Sequence, residues 1–400
     1  MRVADTPNTF FIYLFPALFL AILPYSHTIT MRLSMLFFTM VLAVIVYRRQ
    51  RSEIHFPCLR IYLLWAAVAF LSLWGAVEFS YSLNEIKAEI GYGLIAFLGF
   101  IVLTRTQQNF VVLAKVLLLS VIVACLWAIA SYWHYDKWMT DVYFGGVGDF
   151  STLVVTCLPL FVLLAYLSFK KERTVSHLYW IIAVAVVLYA VLLTDNMMVW
   201  LALSAQVFVF LLLVRKGRWK FKLFLILLVG IVFVSAFYAA GKSKGSVNGI
   251  SSAEFHSMYL NDPRPKNWAM VIEKIENSPW QGKGFGRNTL GNAYPEFRKL
   301  ELFRHSHNIL LDAVIQMGMQ GGLVLAAMFV CLIWYFYRLR DVQDSLLTVL
   351  AAAGVALVIG VLLKNMTDNF FHRHLALMFW AEMGMLIGLA QYRVRSLAHQ

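Results

Sequence analysis

The sequence predicts an all-α, polytopic membrane protein with about twelve transmembrane helices. Three observations carry that prediction. First, 61% of the 400 residues are hydrophobic and only 14% are charged, against roughly 45–50% and 25% in a soluble domain. One water-exposed core cannot hide that excess. Second, the apolar residues come in unbroken runs such as LFLILLVGIVFVSAF. A spanning barrel would alternate apolar and polar instead. Third, Cys58, Cys125, Cys157 and Cys331 lie in or beside apolar runs without a CxxC pair, so neither disulfides nor a zinc site is expected.

A spanning helix uses roughly 20 apolar residues. Runs between polar punctuation place spans near 10–26, 32–47, 57–77, 87–104, 110–133, 143–169, 176–194, 196–214, 221–240, 308–337, 345–364 and 373–391. The first is not read as a cleaved signal, because it lacks a strongly basic start and a small-residue cleavage site. The formal charge of +13 would suggest nucleic acid in a soluble chain; here the placement of the basic residues argues otherwise. Alternate loops hold 18 basic residues, among them Arg48, Arg49, Lys170, Arg215, Arg338 and Arg393. The short loops on the other side hold five: Arg32, Lys87, Lys137, Lys364 and Arg373. The positive-inside rule then puts both termini in the cytoplasm. The expected organisation is spans one to nine over 1–240, a large non-cytoplasmic loop over 241–307, and spans ten to twelve over 308–400.

That loop holds ten of the 34 basic residues against six acidic ones. Long loops translocate regardless of charge, so those residues need another explanation. The loop also carries Trp268, Trp280, Phe285, Tyr294, Phe297 and Phe303, too aromatic for a disordered tether. Trp268, Val271, Ile272 and Ile275 recur at helical spacing and predict a short amphipathic helix from Lys266 to Asn277. It would lie on the membrane surface or pack on the bundle.

The densest polar cluster is Arg304-His305-Ser306-His307-Asn308, at the mouth of span ten. If the helix already runs at His305, then His305, Asn308, Asp312 and Met319 share a face. A neutral imidazole suits proton abstraction from a hydroxyl at neutral pH. Metal binding is the weaker reading, because two histidines at i, i+2 cannot face one ion from a helix. Arg264, flanked by prolines at a helix start, and Lys283, Arg287, Arg298, Lys299 and Arg304 offer charge to phosphate oxygens. For Arg298 and Lys299 the simpler role is a solvated face near anionic headgroups. Gly282-x-Gly284-x-Gly286 has no strand before it, so a dinucleotide fold is excluded and a tight turn re-entering the bundle is expected. Gly318 and Gly322 are close-packing positions. Asp195, Asp312 and Glu382 draw functional suspicion because charge within spans is costly; Glu382 fits equally a packing role against another helix.

Pro279-x-x-Gly282-x-Gly284-x-Gly286, His305-Ser-His307-Asn308-x-x-Leu311-Asp312 and Gly318-x-x-Gly321-Gly322 together resemble the bacterial O-antigen ligase family (WaaL). Its superfamily includes O-antigen polymerases and protein O-oligosaccharyltransferases. Arg264-x-x-x-Trp268 and Asp368-Asn369-Phe-x-x-x-Arg373 fit the same pattern. The resemblance implies a GT-C-like glycosyltransferase of the bacterial inner membrane. It would move O-polysaccharide from undecaprenyl pyrophosphate to lipid A–core oligosaccharide on the periplasmic side. Such ligases are inverting and metal-independent, so no cofactor is expected. The resemblance matches His307 to the catalytic base and Arg264 to a loop arginine. Arg264, Lys283, Arg287, Arg304, His305 and Asn308 are the expected substrate-binding residues. The expected partners are the two lipid-linked glycans and the membrane, not nucleic acid.

One departure concerns Thr194-Asp195-Asn196-Met197-Met198, where relatives often carry an arginine near 197. Arg287 or Arg304 would have to substitute, or donor binding would be weaker. The rival readings are a polymerase, a protein oligosaccharyltransferase and, from another class, a lipid or sugar transporter. A transporter predicts internal repeats and mid-depth charges; the chain shows no repeat, and its polar groups gather at one face.

Overall fold

The computed structural model describes residues 9–50, 54–139, 145–170, 174–214, 219–242, 263–298, 304–369 and 371–398. Every apolar run is helical: α1 (Thr9–Ile22), α2 (Ile29–Gln50), α3 (Leu59–Leu71), α4 (Phe79–Glu85), α5 (Tyr92–Leu103), α6 (Gln107–Tyr135), α7 (Val147–Lys170), α8 (Thr174–Leu192), α9 (Met197–Leu213) and α10 (Trp219–Lys242). A 3₁₀ turn, Ser72–Gly75, extends α3, and a π-helical turn, Ile86–Gly91, joins α4 to α5 as one span. After the large loop's helices α11 (Pro263–Asn277), α12 (Thr289–Ala293) and α13 (Pro295–Arg298) come α14 (Ile309–Met317), α15 (Met319–Leu339), α16 (Ser345–Asn365) and α17 (Arg373–Ala398). Among the described residues, seven helices are long and apolar enough to cross a membrane, and five shorter apolar ones accompany them. This is the polytopic helical fold the composition predicts.

Polar caps set several boundaries. Thr106 accepts from Asn109 N at the start of α6, Asn196 from Met198 N at α9, and Asp344 from Leu346 N and Leu347 N at α16. Each satisfies a backbone donor that the helix start leaves open. α7 is buried along its whole spanning window and α17 along most of it. These two and α16 form the middle of the bundle, with Trp380 of α17 packed among Tyr62, Phe97 and Phe379. Glu382, also on α17, is fully buried and accepts from Cys157 Sγ at 3.4 Å.

Two expectations need correction. Span ten is not continuous: α14 ends at Met317 and α15 begins at Met319, with Gly318 between them at φ 75°. The cause is the strap Pro279–Gly286, which crosses the helix here. Lys283 N donates to Ile315 O, Gly284 N to Gln316 O and Met319 N to Pro279 O. A Cβ at Gly318 would stand 2.5 Å from Trp280 O, so its glycine serves close approach as well as positive φ. Nor does the helix reach back to His305. Asn308 is the N-cap, so His305 and Asn308 precede the helical face they were expected to share with Asp312.

The amphipathic helix is present as α11 and packs on the bundle. Val271 is fully buried with Leu290, Phe297 and Ile315, and Ile275 packs against them. Ile272 is 44% exposed and faces away. Residues 243–262 and 299–303 of the large loop, including Asp262, Lys299 and Phe303, lie outside the described residues, as does the side chain of Arg298.

Candidate active site

The His-Ser-His-Asn run forms a locked turn. Ser306 Oγ donates to Asn308 O at 2.9 Å and accepts from Asn308 N at 3.1 Å. Asn308 Oδ1 caps α14 through Leu310 N and Leu311 N. Within this turn His307 takes φ 59°, a left-handed conformation that histidine tolerates better than most residues. Trp268 Nε1 donates to Ser306 O at 2.9 Å and Asn267 Nδ2 to the same oxygen at 3.3 Å, fastening α11 to the turn.

Asp312 connects the turn to a distant piece of chain. One carboxylate oxygen accepts from Ser306 N at 2.8 Å and the other from Asn369 Nδ2 at 2.6 Å. Asp312 is therefore engaged in holding two loops in register, and the neighbour of Asn369 reaps the result. Asp368 Oδ1 lies 3.2 Å from His307 Nδ1, and Asp368 Oδ2 accepts from Lys364 Nζ at 3.2 Å. The Lys364 side chain is fully buried. Burial works to raise the Asp368 carboxyl. The His307 hydrogen bond and the Lys364 ammonium outweigh it and hold the group at about 2. An ionised Asp368 fixes the tautomer in which His307 carries its proton on Nδ1 and its lone pair on Nε2.

Arg287 enters from the other side. Its Nη2 lies 3.2 Å from His305 Nε2 and its Nη1 2.6 Å from His372 Nε2. A guanidinium only donates, so both imidazoles accept and are neutral. Burial, then the Arg287 charge, lowers His305 to about 2 and His372 well below its ordinary value. His305 is thus committed to a hydrogen bond with its Nε2 and is poorly placed to act as a base there. Burial also lowers Arg287, while Asp149, Asp312 and Asp368 pull the other way; it stays charged. The glycines before it explain its delivery. Gly284 and Gly286 adopt φ 101° and 135°, and a Cβ on Gly286 would meet the Tyr81 ring at 2.7 Å. The GxGxG run is a strap squeezed between α4 and α14.

Arg287 also borders an open cavity of about 600 Å³, whose wall includes His27, Arg32, Glu85, Asp149 and Arg373. Arg264, in the first turn of α11, lies close enough to Lys364 to act on it electrostatically.

The expected site residues thus separate. His305, His307 and Arg287 come together, with Arg264 nearby. Asn308 caps α14 through its Oδ1. Lys283 enters through its backbone, which bonds to Ile315 O and Val77 N. Arg304 is exposed, with its carbonyl accepting from Gly291 N. Of the two arginines weighed as substitutes for one near 197, Arg287 is in the cluster and Arg304 is not. Sequence reasoning left out Lys364, Asp368 and His372. Lys364 ends an apolar run and has the sequence signature of a loop charge. Asp368 belongs to the Asp368-Asn369-Phe motif, but no local pattern joins it to the histidines.

His305, His307 and Asp368 offer ligand atoms within 4.8 Å of one another. The i, i+2 spacing does not separate them, because they sit on a turn where the rings are 4.0 Å apart. The donor set is nevertheless already engaged: Arg287 occupies His305 Nε2, and Lys364 and His307 occupy Asp368. Two buried cations alongside would oppose a third.

A helical membrane bundle with a carboxylate-backed histidine, flanking cations and an adjoining cavity defines the class of this protein: a polytopic membrane protein with a polar chemical centre at one end. Residues 182–326 match the family model described as O-Antigen ligase. That stretch contains Arg264, Arg287, His305, His307 and Asp312, while Lys364, Asp368 and His372 lie beyond it. The chain is also similar to a ComP-specific O-oligosaccharyltransferase of Acinetobacter baylyi, 23% identical over 209 residues. The match spans 51% of this chain and 37% of that relative's length. The resemblance to the O-antigen ligase family, whose members are membrane glycosyltransferases, stands on both matches.

Proposed function

We propose that the protein is an O-antigen ligase of the bacterial inner membrane. It takes O-polysaccharide from undecaprenyl pyrophosphate and joins it to lipid A–core oligosaccharide on the periplasmic side, with both termini in the cytoplasm. The observation that carries this reading is His307, its Nδ1 held by Asp368 and Asp368 in turn by buried Lys364, beside Arg287 and an open cavity.

The chemistry follows from that arrangement. An acceptor hydroxyl passes its proton to His307 Nε2 as its oxygen attacks the anomeric carbon. The bond from that carbon to the diphosphate oxygen breaks, and its electron pair leaves with the diphosphate. A single displacement inverts the centre. Asp368 stabilises the imidazolium that forms. Arg264 and Arg287 neutralise the leaving group, the task a metal performs elsewhere. His305, kept neutral by Arg287, does not repel the imidazolium.

A second reading is protein O-oligosaccharyltransferase, favoured by the similarity to the ComP-specific O-oligosaccharyltransferase. The test uses the purified, reconstituted chain with lipid-linked O-polysaccharide. Lipid A–core, a second lipid-linked glycan and a serine-bearing secreted protein are offered as separate acceptors. Transfer to lipid A–core, persisting in excess chelator, supports the ligase. Transfer to protein alone selects the second reading. Activity lost to chelator and restored only by a divalent ion moves the histidines from base to ligands.

A further inference from the structure

The cavity beside Arg287 contains a charge that the proposed reaction does not use. Arg32 sits in the first turn of α2, 4% exposed, and lines this cavity. Its Nη2 donates to Ser26 O at 3.3 Å. Its Nη1 is buried and finds no partner among the described residues. The neighbouring charge acting on it is a second cation, Arg373, held at φ 48° at the start of α17. His27 and His374 line the same wall. Two carboxylates share the wall: Asp149, within electrostatic reach of Arg287, and Glu85, hydrogen-bonded to Glu89. Arg32 and Arg373 face the same space, and Arg32, buried and incompletely bonded among the described residues, suits an anionic partner there. Guanidinium forks match phosphate oxygens, and the cavity is of the size that takes a small-molecule headgroup.

We propose that Arg32 and Arg373 form the seat of the donor's diphosphate, with Arg287 as the wall shared between that seat and the histidines. This inference rests on the lipid-diphosphate donor of the proposed function. It assigns the resting position of the diphosphate to residues of α2 and α17, which the motifs of the large loop do not include. The phosphate bound there lies across Arg287 from His305, so a charge shift on the leaving group is felt directly by the arginine that orders the site.

The test is equilibrium binding of farnesyl diphosphate, inorganic pyrophosphate and phosphatidylglycerol to the detergent-purified full chain. Farnesyl diphosphate is expected to bind the unaltered protein, and inorganic pyrophosphate to compete with it. Arg32→Met is expected to weaken both by at least about tenfold, as loss of a buried charged partner does. Arg373→Gln, at an exposed position, is expected to weaken both by a smaller factor, and it carries the test if Arg32→Met fails to fold. Unchanged affinity in Arg373→Gln and in a folded Arg32→Met overturns the seat. So does displacement of farnesyl diphosphate by phosphatidylglycerol at equal concentration, which marks a general headgroup site. Transfer assays separate the two claims. Diphosphate binding through Arg32 without any glycan transfer overturns the functional reading alone. Glycan transfer with unaltered diphosphate affinity in Arg32→Met overturns the seat alone.

Discussion

The two ends of the bundle spend their charges differently. At the end holding Asp344, the carboxylate caps α16, and one oxygen accepts from both Nε and Nη2 of Arg393, at 3.2 and 2.6 Å. Burial works to raise that carboxyl, but the Arg393 hydrogen bond and two backbone donors hold it low. Arg340 lies over the Tyr337 ring at 3.6 Å. Each of these groups is matched within the protein and partly solvated. At the end holding His307, the charges are more deeply buried, and Arg32 is left with a cationic neighbour. The first pattern is that of a helix terminus made stable. The second keeps buried charge beside a cavity, the arrangement expected of a candidate site.

The comparison can be broken from the site end first. His307→Ala is expected to cut glycan transfer by about a thousandfold, within the range for loss of a general base, with the melting temperature little changed. If His305→Ala proved the more damaging of the two, the assignment would be reversed.

Asp368→Asn is expected to lower transfer about a hundredfold by releasing the His307 tautomer, and also to lower stability. The instability comes from leaving Lys364 buried without its counter-charge, about 3–5 kcal/mol for a buried pair. Adding Lys364→Met should restore the melting temperature and not the activity. Recovery of both would show that Asp368 serves only to neutralise Lys364.

Arg264→Lys tests bidentate contact with phosphate oxygens, which a point charge cannot reproduce. The expected loss is about tenfold, seen mainly as a raised KM for the lipid-linked donor. Equal donor use by lysine would reduce Arg264 to general surface charge.

A smaller effect concerns acid. His305 is at about 2 when folded, against about 6.5 unfolded. The native state therefore binds fewer protons between those values, and stability falls as pH drops through that window. The melting temperature should fall between pH 7 and pH 5, and less so in His305→Gln. An equal fall in both would show that His305 contributes nothing to it.

The smallest effect on activity is expected at the opposite end. Asp344→Ala removes a cap and an ion pair and should cost about 1–2 kcal/mol of stability, while transfer by the folded fraction is unchanged. A loss of specific activity there would mean that the two ends are coupled.

Much of the fold was legible because spanning helices announce themselves by length and hydropathy. The break at Gly318 was not legible. Gly318 permits a stop in the run Ile309–Leu339 but does not demand one, as Gly321 and Gly322 lie within a helix; the stop coincides with the strap arriving from Pro279–Gly286. The candidate site was half legible. His305 and His307 are legible as a dense polar cluster at the mouth of a span, and Arg287 as a cation of the large loop. That Asn308 Oδ1 caps α14 and that the Lys283 backbone fastens the strap are visible only in the tertiary structure.

The sequence alone determined that the chain crosses a membrane many times, and that imidazole and guanidinium groups gather in residues 264–308. Hydropathy and residue type are properties of short stretches, and they survive without coordinates. Only the tertiary structure decided which histidine is backed by a carboxylate. Asp368 is 61 positions from His307, and it arrives there because Asp312 bonds Ser306 with one oxygen and Asn369 with the other. Pairing across that separation depends on how α14, α16 and α17 pack, and no local pattern in the chain encodes it.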